Sequence, residues 1–205
     1  MNLPMVEEHG VGQQAIWRSW SGEVFNVGEG RTIKGRFEWI GDDFVPMMKI
    51  QILHGKNVTS PKEALVNEEF VRRAGWTDEP IGKQLSIWGK EVTIVGVMKN
   101  FSVQSVYHPQ YPVLLLGSGS DSNPGLHYVR LKEPFDENLK KLNALMAETF
   151  PTEDIIFYSL TQKLDEQYTD ITRFRNAVLW ASISIFFIAI KKMFCIKYYF
   201  FFFII

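Results

Sequence analysis

Apolar residues are dispersed along most of this chain and then gather at its end. From Ala177 to Ile190 it reads AVLWASISIFFIAI without a charge, and after Lys191 and Lys192 it finishes as MFCIKYYFFFFII. A hydrocarbon core of ~30 Å needs about 20 helical residues. The uncharged run holds 14, which cover only ~21 Å at ~1.5 Å each. A span therefore requires Lys191 and Lys192 to snorkel, or the helix to run on toward Ile205. The alternative is a buried helix of a soluble core, but the Phe and Ile density through to the end favours insertion. Arg173 and Arg175 precede the run and three lysines follow it, so charge bias sets no firm orientation.

The preceding residues suffice for one soluble domain of about 170 residues with a sizeable core. A net charge of -1 and the lack of a Lys/Arg stripe exclude a nucleic-acid reading. The single cysteine, Cys195, lies in the tail, which excludes a disulfide framework and a cysteine metal site. The start MNLPMVEEHG lacks the basic and apolar stretches of an export signal. The head is then either cytosolic or preceded by a membrane segment outside this chain.

Residues 1–30 are Gly-rich and weakly patterned, with Trp17 and Trp20 as anchors. Thr32–Trp39 alternates as a half-buried strand: Ile33, Phe37 and Trp39 on one face, Thr32, Lys34, Arg36 and Glu38 on the other. Asp42-Asp43-Phe44 turns into a short helical piece through Met48, and Ile50–Leu53 leads to a turn at His54-Gly55. Ala64–Val66 is a short strand; Asn67 caps the next helix, with Glu68 and Glu69 in its first turn and Gly75 at its end. Leu85–Trp88 and Val92–Met98 form a hairpin with Gly89-Lys90 as its turn. Strands follow at Val113–Leu116 and His127–Leu131, separated by a flexible loop over Gly117–Gly125. Asp136 caps an amphipathic helix with Leu139, Leu142, Leu145, Met146 and Phe150 on one face, and Ile155–Tyr158 is a strand. From Leu160 a second stripe, through Leu164, Tyr168, Ile171, Phe174 and Val178, enters the apolar run without a breaker, so one continuous helix is expected to leave the head and enter the membrane.

The search for chemistry assigns no catalytic, cofactor-binding or metal residue. Asp42-Asp43 and Glu68-Glu69 are adjacent carboxylates that point apart. His9, His54, His108 and His127 are far apart in sequence, without metal-binding spacing, and read as surface residues in loops or at strand starts. Gly82-Lys83 is followed by Gln84, which excludes a phosphate loop. No GxSxG elbow is present, and Ser102 and Ser105 read as loop residues. The six tryptophans read as packing residues and anchors.

An ordered set of motifs carries a family resemblance. It comprises Val66-Asn67-Glu68-Glu69-Phe70, Pro80-Ile81-Gly82-Lys83, Ile94-Val95-Gly96-Val97, Lys99-Asn100-Phe101 and Ser105-Val106-Tyr107-His108-Pro109. Upstream stand Asp43-Phe44 and Met48-Lys49-Ile50, then Leu53-His54-Gly55. Over roughly residues 35–190 the chain resembles the MacB-like periplasmic core domain of FtsX-like ABC transporter permeases of Bacteroidetes-type bacteria. The resemblance implies an α+β fold: a porter-like βαβ part made of the chain's two ends, a β-rich inserted subdomain holding the Gly89 hairpin, and a C-terminal transmembrane helix. It implies an extracytoplasmic head over 1–172, N-terminally incomplete, with 173–205 the stalk end and membrane segment. It also implies a permease subunit in a bacterial inner membrane, without catalytic residues of its own. A cytoplasmic ABC ATPase would drive export or mechanotransmission, with a homodimer or second permease copy and an envelope or outer-membrane partner. A membrane-anchored binding module is the alternative. Such permeases carry one transmembrane helix before the head and three after it, and this chain shows none before and at most one after. Residues 191–205, rich in Lys, Phe, Tyr and Ile, are expected to be an aberrant tail from a frameshifted or truncated gene.

Overall fold

The computed structural model describes residues 3–16, 20–101, 110–118 and 125–202, with the backbone alone for 167, 168, 170, 171 and 193–202. The chain forms two compact units, Met1–Phe157 and Tyr158–Ile205.

The first unit is built on one mixed nine-stranded sheet. Its strands are β1 (Val6–Gly12), β2 (Gly22–Gly28), β3 (Arg31–Ile40), β4 (Ile52–Gly55), β5 (Glu63–Asn67), β6 (Gln84–Ile87), β7 (Lys90–Met98), β8 (Val113–Gly117) and β9 (Leu126–Leu131). Among the described residues three helices accompany them: α1 (Phe44–Met47), α2 (Glu68–Ala74) and α3 (Phe135–Thr149). The path β4-β7-β5-β8-β3-β1-β9 joins the two ends of the unit, because β1 pairs antiparallel with β9. Parallel pairs β3–β8 and β5–β7 sit among antiparallel ones. The central strands are apolar on consecutive residues because both faces are covered. On β8, Leu114 and Leu116 enter one core cluster with Phe25, Phe37 and Phe70, while Val113 and Leu115 enter a second with Trp20, Phe44 and Met98.

That second cluster corrects the reading of β3. Glu38 was expected on a solvent face. It is fully buried, because Ile40, two residues on and on the same face, packs into the cluster around Phe44 and Tyr128. Thr32 and Lys34 are exposed as expected.

The helix after β5 is as read. Asn67 Oδ1 accepts the Phe70 N–H at 2.9 Å, and Gly75 ends α2 with φ 66°. Gly55 and Gly96 stand opposite each other where β4 and β7 pair: a Cβ on Gly96 would lie 2.6 Å from the Lys56 carbonyl oxygen, and one on Gly55 would overlap that of Val95. His54-Gly55 therefore belongs to β4, with a register shift, rather than to a turn.

Other local expectations are corrected. Residues 1–30 contain β1 and β2, whose partners lie on β3 and β9. The hairpin turn is Trp88-Gly89, at φ 48° and 76°, one residue earlier than expected, so Ile87 pairs with Lys90. Two positive φ angles match a two-residue hairpin of strongly twisted strands. The Trp88 ring rests against Phe37 and Trp39, at centroid distances of 4.9 and 6.3 Å. Pro134, not Asp136, occupies the N-cap of α3; Asp136 stands in the first turn, where its charge suits the helix end. Ile155–Tyr158 is not a strand: the Asn143 amide takes the Phe157 N–H at 2.8 Å and donates to its carbonyl at 3.0 Å. Trp17 and most of the loop after Gly117 lie outside the described residues.

In the second unit, α4 (Leu160–Phe202) is one helix of 43 residues. Thr172–Lys192, 21 residues with mean hydropathy 1.4, is long and apolar enough to cross a membrane. The hydroxyls of Ser182 and Ser184 donate to the carbonyls of Val178 and Trp180, each at 2.9 Å, which suits them to a lipid environment. The helical residues from Thr172 that precede the uncharged run, together with the two lysines, thus supply the length that the run lacks.

Candidate functional site: a lysine-rimmed apolar cavity

Three stretches singled out in the sequence converge on one cavity of about 370 Å³. Phe44 and Met48-Lys49-Ile50 bound one side, Lys99-Asn100-Phe101 another, and Ile16 with Trp20 a third. Its walls are the apolar side chains of Ile16, Trp20, Phe44, Met48, Ile50 and Phe101. Lys49, Lys99, Gln51 and Asn100 supply its polar lining, and no acidic residue is among the described lining residues. The volume falls in the range of small-molecule sites, about 300–1,000 Å³.

Each side is positioned by specific bonds. The α1 side closes through a Schellman motif: the Lys49 N–H bonds the Pro46 carbonyl at 3.0 Å and the Ile50 N–H bonds that of Val45 at 3.1 Å. This geometry puts Lys49 at φ 53°, a conformation in which glycine is the unstrained residue. The Lys99 side is tied to the residue preceding β4 and to α2. Lys99 N–H donates to the Gln51 carbonyl at 2.9 Å, Asn100 N–H to the Glu68 carboxylate at 2.9 Å, and Glu69 N–H to Asn100 Oδ1 at 3.0 Å. Glu69 is itself clamped by Arg72 at 2.7 Å and Arg73 at 2.6 Å. Hydrogen bonds from Arg72 hold its carboxyl down at about 2, so it stays ionised. The adjacent pair Glu68-Glu69 thus ties a loop to a helix.

The third side hangs on the buried acid. Glu38 Oε1 accepts the N–H groups of Gln13 and Gln14. Gln14 N–H lies 2.7 Å away, while Oε2 has no partner among the described residues. Tyr128 Oη donates to the Gln14 carbonyl at 2.8 Å and accepts the Ile16 N–H at 3.1 Å. Burial pushes the Glu38 carboxyl up to about 7 and raises the Tyr128 phenol. Glu38 and Tyr128 therefore fix residues 13–16, which present Ile16 to the cavity.

The structure brings together one pair of histidines expected to be separate. His9 on β1 and His127 on β9 meet with Nε2···Nδ1 at 2.9 Å, and burial, then repulsion from His127, lowers the His9 imidazole. His54 is on β4, and His108, Ser102 and Ser105 lie outside the described residues. Among the described residues no three His, Cys, Asp or Glu side chains cluster as a metal site. The sequence reading missed the Glu38 pin, the histidine pair and the cavity. The convergent motifs were its only trace of the last.

A match to the family described as the MacB-like periplasmic core domain spans residues 2–141. Among solved structures, the fold is similar to the periplasmic region of MacB from Actinobacillus actinomycetemcomitans. That match has TM-score 0.59 and 16% identity and covers 82% of this chain and 78% of that one. It is also similar to a domain of a permease protein from Porphyromonas gingivalis, with TM-score 0.56 and 15% identity over 78% and 84% of the two chains. The extracellular domain of the noncanonic ABC-type transporter YknZ from Gram-positive bacteria is a third, with TM-score 0.55 and 10% identity over 74% and 80%. No curated protein matches the sequence.

Proposed function

The chain belongs to the MacB-like periplasmic core domain family, and on that premise we propose that it is the extracytoplasmic head and stalk of a permease subunit driven by a cytoplasmic ABC ATPase. The observation that carries this reading is the unbroken α4, whose segment Thr172–Lys192 follows a MacB-like head in one continuous helix. A helix without a hinge passes displacement of its membrane part to its other end, so ATP hydrolysis by the partner becomes motion outside the membrane. In this reading residues 1–172 lie outside the cytoplasmic membrane. The output is export or force delivered to an envelope partner, and the permease works as a homodimer or beside a second permease copy. The head contributes no bond-making step.

A membrane-anchored binding module is the second reading, favoured by the cavity. The two readings separate on partners and on the helix. Under the first, the tagged chain recovered from its native membranes carries an ABC ATPase subunit, identified by mass spectrometry. In that assembly Ile171→Pro, which removes a helix hydrogen bond and costs about 3 kcal/mol or more, is expected to leave ATP turnover intact while output falls to background. Recovery without an ATPase, or full output in the proline variant, contradicts the coupling.

A further inference from the structure

We propose that the cavity beside α1 is a binding site for an anionic amphiphile, a single apolar chain ending in a carboxylate or phosphate, with Lys49 and Lys99 as the head-group contacts. This inference does not depend on the ATPase partner.

The walls come first. Six apolar side chains line about 370 Å³, space for about a dozen water-sized groups at ~30 Å³ each. The rim adds two cations, and neither Lys49 nor Lys99 is paired with a carboxylate among the described residues. An apolar chamber with unpaired positive charge at its mouth complements a ligand with an apolar body and an anionic end.

The backbone supplies an independent argument. Lys49 occupies the left-handed position of the α1 terminus, at φ 53°, where glycine is the unstrained residue. A cation thus stands at the cavity mouth in a place that local folding alone would give to glycine. Strain held at a cavity rim points to a ligand contact.

The occupant follows from the hydrogen-bond inventory. A bound peptide brings amides that lose hydration on entry and need partners. Here the Asn100 N–H and Oδ1 already serve Glu68 and Glu69 and the Gln51 carbonyl serves Lys99, so of the described polar lining only the Gln51 side-chain amide and Asn100 Nδ2 stand against a peptide's repeated donors and acceptors. An acyl chain has no such requirement.

The test uses the full chain in phosphatidylcholine nanodiscs with a dodecanoate probe bearing a diazirine at its chain end, and cross-linked peptides are mapped by mass spectrometry. Labelling of α4 by probe dissolved in the bilayer serves as internal reference. The proposal predicts label on peptides covering 44–51 or 99–101, displaced by excess dodecanoate and not by dodecanol. A twelve-carbon lysophosphatidate arm distinguishes the head group: displacement by it admits phosphate, and displacement by dodecanoate alone restricts the site to carboxylates. Lys49→Gly with Lys99→Gln should lower the head-to-α4 label ratio at least tenfold. Lys49→Gly alone should lower it at least threefold while leaving the thermal unfolding midpoint unchanged or raised, which separates loss of binding from loss of fold. Label absent from the head, equal displacement by dodecanol, indifference to both lysine substitutions, or displacement only by an acidic apolar peptide would overturn the proposal.

Discussion

Replacing Asn67 by alanine is expected to destabilise the head by about 3–4 kcal/mol. The loss of a helix cap costs about 1 kcal/mol, and each buried donor left unsatisfied adds about 1–3 kcal/mol. Asn67 is fully buried and does three things at once. Its Oδ1 accepts the N–H groups of Phe70 and Val113, both at 2.9 Å, and its Nδ2 donates to the Tyr111 carbonyl at 2.9 Å. It therefore joins β5, α2 and the entry to β8, and alanine abandons all three bonds. Asn67→Asp retains the acceptor and should recover part of the loss. Urea unfolding of the full chain in detergent, followed by tryptophan fluorescence, gives the difference. A loss under about 1 kcal/mol would show that the cap alone matters.

The second large effect is a pH dependence set by Glu38. Burial raises its carboxyl from 4.5 to about 7. The unfolded chain therefore releases this proton near pH 4.5 while the folded head keeps it until about pH 7. Across that window the folded state binds more protons, so stability falls as pH rises, by about 3 kcal/mol at ~1.36 kcal/mol per unit. Glu69, held at about 2, acts below this window: its contribution is present above pH 4.5 and is lost as pH falls toward 2. His9, lowered by burial and by His127, runs opposite to Glu38, which is why the comparison with Glu38→Gln is the informative one. That variant keeps an acceptor for Gln13 and Gln14 and cannot ionise. It should gain about 3 kcal/mol on the parent between pH 4.5 and pH 8, measured as the shift in urea midpoint at the two pH values. A difference that does not change with pH would place the ionised carboxylate in a better-solvated setting than the structure shows.

What the sequence disclosed was local, and what it hid was paired at a distance. Asn67–Gly75 was legible because a cap, two early acids and a left-handed glycine act within one short helix. β1 and β2 were not, because Gly10, Gly12, Gly22 and Gly28 interrupt the alternation and the β1 partner β9 lies more than a hundred residues away. His9 and His127 met for the same non-local reason. Glu38 was misplaced because alternation tells the two faces of β3 apart without telling that both are covered. Ile155–Tyr158 has a strand's composition, yet its backbone is satisfied by the Asn143 side chain instead of a neighbouring strand. The cavity was invisible as geometry. Its parts nonetheless stand in the sequence as Met48-Lys49-Ile50 and Lys99-Asn100-Phe101, whose convergence requires β4 and β7 to pair.

The central claim is that this MacB-like head stands outside the cytoplasmic membrane on a helix that enters it. The direct test places one reporter thiol on the head: Cys195→Ser removes the natural cysteine, and Glu91→Cys adds one at an exposed position near the start of β7. Intact spheroplasts are then treated with a membrane-impermeant maleimide. The account predicts labelling of residue 91 without lysis, to the level seen after the membrane is opened. Labelling that appears only once the membrane is broken would place the head in the cytosol and contradict it.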